Sequence, residues 1–306
     1  MKDLRVDQVR NVGVFGDGGA GKTALAEAML FTAGSIDRLG NAADGNTAMD
    51  YEPEEIKHQF STSAALHHLQ WRKTRVNLID TPGSPNFLGD SFPALRAVDA
   101  AVFALDGIDG LRVVGERLWN RAGELGLARA LVVTKIDRDR SDCAGVLEAA
   151  NKTLSGTFAP LTLPLRSGEA LTGVIDVLGR RALLYPADGS GKFTEGELPP
   201  EMKAEVDAAR EEVIAAVAEI DDALTEKYLE QGTLSDEEVR AALRQGMTSG
   251  RVTPVFCAAL THNQGIQPLL DAIVDFFPSP VDRPAVAATD ARSGESLRLA
   301  SDPEGP

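Results

Sequence analysis

The sequence predicts an α/β fold, in which a mainly parallel sheet is covered by helices on both faces, with an α+β subdomain inserted into it. Three observations predict this fold. Short apolar runs alternate with helical segments from Val9 to about residue 158. Short strand-like pieces and a long acidic helix then interrupt the rhythm. The rhythm returns with T-P-V-F-C at 253–257 and a closing helix, so the sheet is expected to be completed there.

The first elements are a strand, a glycine loop and a helix. Val9 to Phe15 is a short apolar run, glycines follow it at once, and K-T-A-L-A-E-A-M-L-F-T-A is a good helix closed by Gly34. Residues 40–59 are polar and predict a long loop, and loops of that length are usually functional or mobile.

Further strands and helices alternate along the next segment. The apolar runs and their breaks predict strands at Phe60–Trp71, Thr74–Asp80, Ala100–Leu105 and Ala130–Val133, with helices after Leu111 and after Ser141.

The inserted segment reads differently. Short strands are predicted at 161–166, 171–177 and 181–185, followed by one long acidic helix over 201–230. A helix at 265–277 closes the fold before P-S-P. We therefore expect one domain from 1–158 and 253–288, an inserted subdomain from 159–252, and a segment from 289–306 that is either a tail or the start of a further domain.

Composition limits the function classes. The 306 residues are 43% hydrophobic and 25% charged, as in a folded protein. The formal charge of −15 excludes broad attraction to a nucleic-acid backbone, so any such contact must be local. Cys143 and Cys257 form no zinc or redox motif. No apolar stretch has the length of a signal core or a membrane span, and we expect a cytoplasmic protein that does not contact a membrane.

Residues 16–23 form a candidate phosphate site. G-D-G-G-A-G-K-T fits G-x-x-x-x-G-K-[ST] and lies between a strand and a helix. Lys22 is expected to reach the β and γ phosphates, and Thr23 to offer its hydroxyl to Mg²⁺. A glycine-rich turn followed by a chance Lys-Thr is the alternative, which the context disfavours. The residues expected to surround the phosphates with backbone N–H groups are Asp17, Gly18, Gly19, Ala20 and Gly21.

T-K-I-D at 134–137 is a candidate base site. It follows a strand and ends in Asp137, whose two oxygens can accept from the N1–H and the exocyclic amine of guanine. Adenine lacks that pair of donors. The stem of Lys135 would lie along the base. Alone the motif is weak, because it often marks a solvated strand end; after a phosphate loop it favours guanine.

D-T-P-G at 80–83 supplies the third part. Asp80 is expected to hold Mg²⁺ through water, and the Gly83 N–H to face the γ-phosphate. Hydrolysis removes that contact, so the segment after Gly83 can relax as a switch. In this order the three motifs form a translation-type GTPase signature that uses GTP, GDP and Mg²⁺.

At this point the sequence resembles the elongation factor G family. The resemblance is carried by D-T-P-G-S-P-N-F, by A-V-D-A-A-V-F-A-L-D-G-I-D-G-L with Trp119 after it, and by G-I-Q-P-L-L-D-A-I-V-D-F-F-P-S-P-V-D-R-P. It covers nearly the whole chain, insertion included, and D-Y-E-P-E-E-I-K is similar to diverged paralogues. It implies the N-terminal P-loop translation-factor GTPase domain of a longer protein, with 289–306 as the lead-in to a β-barrel domain. It also implies a monomer that contacts the ribosome at a large-subunit RNA loop and the stalk protein.

Three positions depart from the family pattern in supporting roles. Gly19 stands where the family has Asp, Thr134 where it has Asn, and Ala259 where the guanine loop that also contains Leu260 has Ser. Each departure is expected to weaken or rearrange a hydrogen bond. The resemblance also aligns Ser61 with the threonine that closes over Mg²⁺, with a slip of one residue still open.

The fourth departure is Ser84, in place of the histidine that positions the attacking water. Lys22, Gly83 and Ser84 are therefore the catalytic candidates, and we expect slow hydrolysis. The structural alternative is that Ser84 caps a helix beginning near Pro85, which is compatible with the first interpretation.

These observations predict a GTP-binding, elongation factor G-like GTPase that acts on the ribosome. Two alternatives stay open. One is a regulatory module that holds GTP on the ribosome without useful turnover. The other is a GTPase for ribosome protection or recycling.

Overall fold

A computed structural model describes residues 4–301, which form a seven-stranded sheet, a four-stranded sheet and a two-stranded hairpin with flanking helices. The strands are β1 (Val9–Phe15), β2 (Ala65–Trp71), β3 (Thr74–Asp80), β4 (Ala100–Asp106), β5 (Ala128–Thr134), β6 (Thr157–Pro160), β7 (Thr162–Ser167), β8 (Ala170–Asp176), β9 (Arg181–Leu184), β10 (Thr194–Glu197), β11 (Val252–Cys257), β12 (Val286–Thr289) and β13 (Ser296–Leu299). The α-helices are α1 (Lys22–Thr32), α2 (Pro53–His58), α3 (Leu88–Ala97), α4 (Val113–Glu124), α5 (Cys143–Thr153), α6 (Lys203–Ala218), α7 (Asp222–Gln231), α8 (Asp236–Thr248) and α9 (Ile266–Asp275).

The main sheet has the order β2-β3-β1-β4-β5-β11-β6. Strand β2 runs antiparallel to β3, and the other neighbours are parallel. The carboxyl ends of the parallel strands therefore meet along one edge, where α/β sheets bind their ligands. The predicted α/β class is confirmed.

The sheet separates two apolar cores, as the alternation along β5 demonstrates. Ala130 and Val132 belong to one core, whereas Leu131 and Val133 belong to the other. Every residue of β5 is buried, because helices cover both faces. Helices α1, α6, α8 and α9 contribute to the first core, and α3, α4 and α5 to the second.

The inserted segment contains an antiparallel sheet in the order β10-β9-β8-β7, so the predicted extra subdomain is present. Its helices are not separate from the rest. Val213 of α6 and Leu243 of α8 are fully buried in the same core as Val132 and Leu270. The proposed boundary at residue 159 falls inside β6, which pairs with β11.

The prediction of a single helix over 201–230 is wrong. Helix α6 ends at Ala218, and α7 begins after Asp221, whose side chain accepts from the N–H groups of Ala223 and Leu224 at 2.8 and 3.4 Å. An aspartate in that position starts a new helix, since it satisfies amides that a continuous helix would pair internally.

The predicted strand from Phe60 begins only at Ala65. Glu55, which is buried, accepts from the backbone N–H groups of Thr62 and Ser63 at 2.8 and 3.0 Å. Those amides are thereby withdrawn from strand pairing, so the ladder with β3 starts after them.

The polar segment 40–59 contains a helix, α2, and a buried anchor in addition to loop. Glu27 of α1 accepts from the N–H groups of Ala48 and Met49 at 2.6 and 2.9 Å, and Met49 is buried in the core. The segment is therefore fastened to α1.

Strands β12 and β13 form a hairpin that crosses the predicted boundary at residue 289: β13 lies in the predicted tail, whereas only Thr289 of β12 does. Residues 302–306 of that tail lie outside the described residues. Within residues 4–301, no helix has the length and apolar character needed to cross a bilayer.

Candidate functional site

Five loops meet at the carboxyl edge of the main sheet. They follow β1, β3, β4, β5 and β11, and they carry the phosphate loop, D-T-P-G, Asp106, T-K-I-D and C-A-A-L. The three sequence motifs are thus brought together by sheet order, because β3, β1, β4, β5 and β11 are neighbours.

Glycines give the phosphate loop its shape. Gly16, Gly19 and Gly21 have φ angles of 137, 80 and 91°, in the region that favours glycine. A Cβ on Gly16 would lie 2.5 Å from the carbonyl oxygen of Ala104. Helix α1 begins directly after the loop without a side-chain cap, so its first amides can receive phosphate oxygens.

Lys22 offers a buried cation to this cradle. Its Nζ donates to the backbone carbonyl of Asp17 at 3.0 Å, and no ion pair engages it within residues 4–301. Burial lowers the pKa of Lys22, while the charges of Asp80 and Asp17 oppose that shift. A buried ammonium group that is not paired with a carboxylate fits a nucleotide phosphate.

Three oxygen-bearing side chains converge beside Lys22. Thr23 Oγ1 donates to Asp80 Oδ2 at 2.6 Å and lies 3.0 Å from Ser61 Oγ. Asp80 is buried; burial raises its pKa to about 7, and the charge of Lys22 and the hydroxyl of Thr23 limit the rise. A carboxylate with two hydroxyls is a donor set that suits Mg²⁺ completed by water and phosphate oxygens. The predicted metal residues Thr23, Ser61 and Asp80 therefore lie together.

Asp50 belongs to the same cluster, although sequence reasoning missed it. It is buried in the loop before α2, and burial raises its pKa, while a hydrogen bond to Ser61 opposes the rise. It also interacts electrostatically with Lys22 and Asp80. The residue lies 30 positions upstream of Asp80 in a polar stretch, where no motif distinguished it.

The D-T-P-G turn packs directly on the phosphate loop. A Cβ on Gly83 would lie 2.2 Å from Nζ of Lys22 and 2.7 Å from the nitrogen of Gly18, so only glycine fits. Thr81 and Ser91 fix the turn: their hydroxyls donate to the carbonyls of Val14 and Pro82, each at 2.7 Å.

Ser84 lies next to this turn, half-buried. It occupies the N-cap position of the short 3-10 turn Pro85–Phe87, but its hydroxyl makes no capping hydrogen bond. The expectation that the side chain caps a helix is therefore wrong; only the backbone carbonyl of Ser84 is used, accepting from Phe87 N at 3.0 Å.

The carboxylate of Asp17 binds backbone amides of another element and does not line the phosphate site. It accepts from the backbone N–H groups of Arg112, Val114 and Gly115 at 2.8, 3.0 and 3.0 Å. These are the amides at the start of α4, whose N-cap residue is Arg112, so the carboxylate of Asp17 caps a helix that begins almost a hundred residues later. Arg112 Nη2 also donates to the carbonyl of Gly18 at 2.7 Å.

The base motif is fastened to the phosphate loop. Thr134 Oγ1 donates to the carbonyl of Ala20 at 2.8 Å. Lys135 has a φ of 57° and forms an ion pair with buried Asp106. Burial alone would raise the pKa of Asp106, but hydrogen bonds from Lys135 and from the amides of Ile108 and Asp109 outweigh it and lower the pKa. Asp106 is not among the residues predicted from the sequence, although a carboxylate at the end of the buried run A-V-F-A-L is a usable signal.

Asp137 is largely covered, and the loop after β11 lies against it. Thr261 Oγ1 donates to Asp137 Oδ2 at 3.0 Å, and Nε2 of His262 is 3.8 Å from the same oxygen. Ala259 and Leu260 are buried in the same loop, and a Cβ on Gly21 would lie 3.1 Å from Leu260. All parts of the predicted base site are thus near the phosphate loop.

Comparison with known proteins gives a consistent result. The family model described as the elongation factor Tu GTP binding domain matches residues 7–279. Elongation factor G of Thermotoga petrophila is 34% identical over 290 residues, which are 95% of this chain and 42% of that protein. Elongation factor G 2 of Syntrophomonas wolfei is 32% identical over 298 residues, 97% of this chain and 43% of that protein.

A solved crystal structure of a Thermus thermophilus protein superposes with a TM-score of 0.85 at 35% identity, covering 95% of this chain and 45% of that one. The chain spans less than half the length of these relatives. With the three nucleotide motifs gathered at one edge of the sheet, the chain belongs to the elongation factor Tu GTP-binding domain family and, within it, is a GTPase domain of the elongation factor G kind.

Proposed function

We propose that this chain binds GTP and GDP with Mg²⁺, hydrolyses GTP slowly, and serves a longer elongation factor G-like protein that acts on the ribosome. The observation that carries the proposal is the junction of the motifs: Thr23 bonds Asp80, and Thr134 bonds the carbonyl of Ala20. Phosphate, switch and base motifs thereby form one continuous site.

Each predicted residue has a role in this proposal. Lys22 binds the β and γ phosphates, and Thr23, Ser61 and Asp80 hold the metal ion, which neutralises phosphate charge when bound. Asp137 selects guanine. The remaining proposed contacts are backbone or packing contacts from Asp17, Gly18, Gly19, Ala20, Gly21, Gly83, Thr134, Lys135, Ala259 and Leu260.

Slow hydrolysis is proposed because of Ser84. A hydroxyl is shorter than an imidazole, and in this chain it follows a turn that is held tightly on the phosphate loop. Binding does not depend on it. A GTP-holding module without useful turnover is therefore the second candidate, and it rests on this same observation.

The partners are proposed from family membership. We propose a cytoplasmic monomer that contacts a large-subunit RNA loop and the stalk protein of the ribosome. The net charge of −15 requires that the contact with RNA be local.

The test is GTP turnover with and without ribosomes, on the full-length protein, with Lys22→Ala as the control that removes the fixed cation. We expect binding in the wild type, loss of binding in Lys22→Ala, and weak turnover that ribosomes raise only modestly. Near-normal affinity in Lys22→Ala would contradict the phosphate site, whereas rapid ribosome-dependent turnover would contradict slow hydrolysis alone.

A further inference from the structure

The hydroxyl of Thr261 is hydrogen-bonded to the carboxylate of Asp137, the group proposed to recognise the base. Its Oγ1 donates to Oδ2 of Asp137 at 3.0 Å, across a separation of 124 residues. The side chain of Asp137 is only 12% exposed. No motif in the sequence identified Thr261, which lies in the 3-10 turn Leu260–His262 after β11.

The turn that carries Thr261 is held on both sides. Ala259 and Gln264 exchange backbone hydrogen bonds of 3.1 and 3.0 Å, and Asn263 takes a left-handed conformation with φ 51°. Thr32 of α1 donates to Oδ1 of Asn263 at 3.1 Å. The hydroxyl is thus presented by a fixed loop, and ordering it costs little when a ligand arrives.

A carboxylate alone does not fix its own plane, because rotation about χ2 is broad. Guanine needs both oxygens of Asp137 at once, one for N1–H and one for the 2-amino group. A carboxylate oxygen can accept two hydrogen bonds, so Oδ2 can keep Thr261 and still accept from the base. The neighbouring Ala259 offers no hydroxyl, and His262 is half-exposed at 3.8 Å from Oδ2.

We propose that Thr261 is a positioning residue for guanine recognition: its hydroxyl holds the Asp137 carboxylate in the orientation that accepts two donors from the base. This inference rests on the proposed guanine-nucleotide function and assigns part of its base selectivity to a residue outside T-K-I-D.

The experiment measures GDP, IDP and ADP affinity by calorimetry for the 306-residue chain and three variants. IDP keeps N1–H but lacks the 2-amino group. Thr261→Val removes the hydroxyl at similar size, Thr261→Ser restores it, and Thr194→Val makes the same change at an exposed position on β10. We expect Thr261→Val to weaken GDP about tenfold, the scale of one hydrogen bond to a charged group. The affinity for IDP should fall less, so the ratio of GDP affinity to IDP affinity should decrease.

Thr261→Ser and Thr194→Val should retain the wild-type ratio. An unchanged ratio in Thr261→Val would overturn the inference, even if both nucleotides bound more weakly, because that pattern indicates packing only. A wild type that binds ADP as tightly as GDP would overturn the proposed function, and the inference with it. Thermal denaturation of each variant confirms that it is folded.

Discussion

Among single residues, Asp137 is the one proposed to select guanine. Asp137→Asn replaces an acceptor oxygen by an amide donor, which faces the donors of guanine but suits the C2 carbonyl of xanthine. We expect GDP affinity to fall by at least about 10²-fold, because buried polar groups are left unpaired, and XDP affinity to rise. Competition titrations with GDP and XDP check this. Asp139→Asn, an exposed change two residues away, should alter neither.

Ser84 carries a second prediction at this scale. A group that positions the nucleophile or handles its proton is commonly worth about 10²–10⁴ in rate. We therefore expect Ser84→His to raise single-turnover GTP hydrolysis on ribosomes, with nucleotide affinity nearly unchanged. Ser155→His, at an exposed position after α5, is the matched control.

Wild-type hydrolysis as fast as that of a family translocase would contradict this expectation. It would direct attention to a replacement group such as His58, which is half-exposed on α2 and lies 3.3 Å from Glu54.

How far the sequence predicts the site depends on where each contact arises. Lys22, Thr23 and Asp80 belong to contiguous motifs whose spacing is itself the chemistry, so they could be predicted. Asp50 and Thr261 lie outside those motifs and reach the site through contacts made on folding, Asp50 with Ser61 in the same segment before β2 and Thr261 with Asp137, 124 residues away. The fold of that segment and the pairing of β5 with β11 set these contacts, and neither is encoded in the local sequence of the residue concerned.

At the scale of elements, the helix boundaries of the insertion were not predicted from periodicity. Helical spacing from Val206 to Leu224 predicted one continuous helix, but Asp221 ends that continuity by capping α7. Helix α8 was missed, although Ser235 and Glu238 form a capping box at its start. Periodicity identifies an apolar face and does not show where the backbone breaks; capping residues do.

Glu27 of α1, which anchors the segment before β2, is expected to make the stability of the fold depend on pH. Burial raises the pKa of Glu27 above its ordinary value of 4.5, while the amides of Met49 and Ala48 oppose the rise. The folded state thus binds this proton more tightly than the unfolded chain does. Its contribution to the free energy of unfolding is full below pH 4.5 and is lost as pH rises through the raised pKa.

Glu27→Gln removes that titration and keeps an acceptor for the two amides. In urea unfolding from pH 4.5 to neutrality, the variant should gain stability relative to the wild type as pH rises. Glu211→Gln, exposed on α6, should follow the wild-type curve. Parallel curves for Glu27→Gln and wild type would contradict the assignment.

At the scale of the whole molecule, the insertion and the GTPase sheet share one core. Leu243 of α8 is fully buried, so Leu243→Ala should lower the free energy of unfolding by about 2–5 kcal/mol. Leu229→Ala on α7, where the side chain is 78% exposed, should change it by less than about 0.5 kcal/mol.

The form of the transition is the sharper readout. Trp71 and Trp119 both lie outside the insertion, so their fluorescence reports the GTPase sheet, whereas circular dichroism includes the inserted helices. Coincident transitions that shift together in Leu243→Ala are expected. A helical signal lost ahead of the fluorescence would show that the insertion unfolds by itself.

The capping of α4 by Asp17 has a thermodynamic consequence. The backbone N–H groups of Arg112, Val114 and Gly115, at the start of α4, donate to the carboxylate of Asp17 in the phosphate loop, and Arg112 Nη2 donates to the carbonyl of Gly18. These hydrogen bonds couple the ordering of the phosphate loop to the ordering of the start of α4. Coupling of this kind is reciprocal. If bound nucleotide raises the affinity of the start of α4 for another molecule by some factor, binding of that molecule raises the affinity for nucleotide by the same factor.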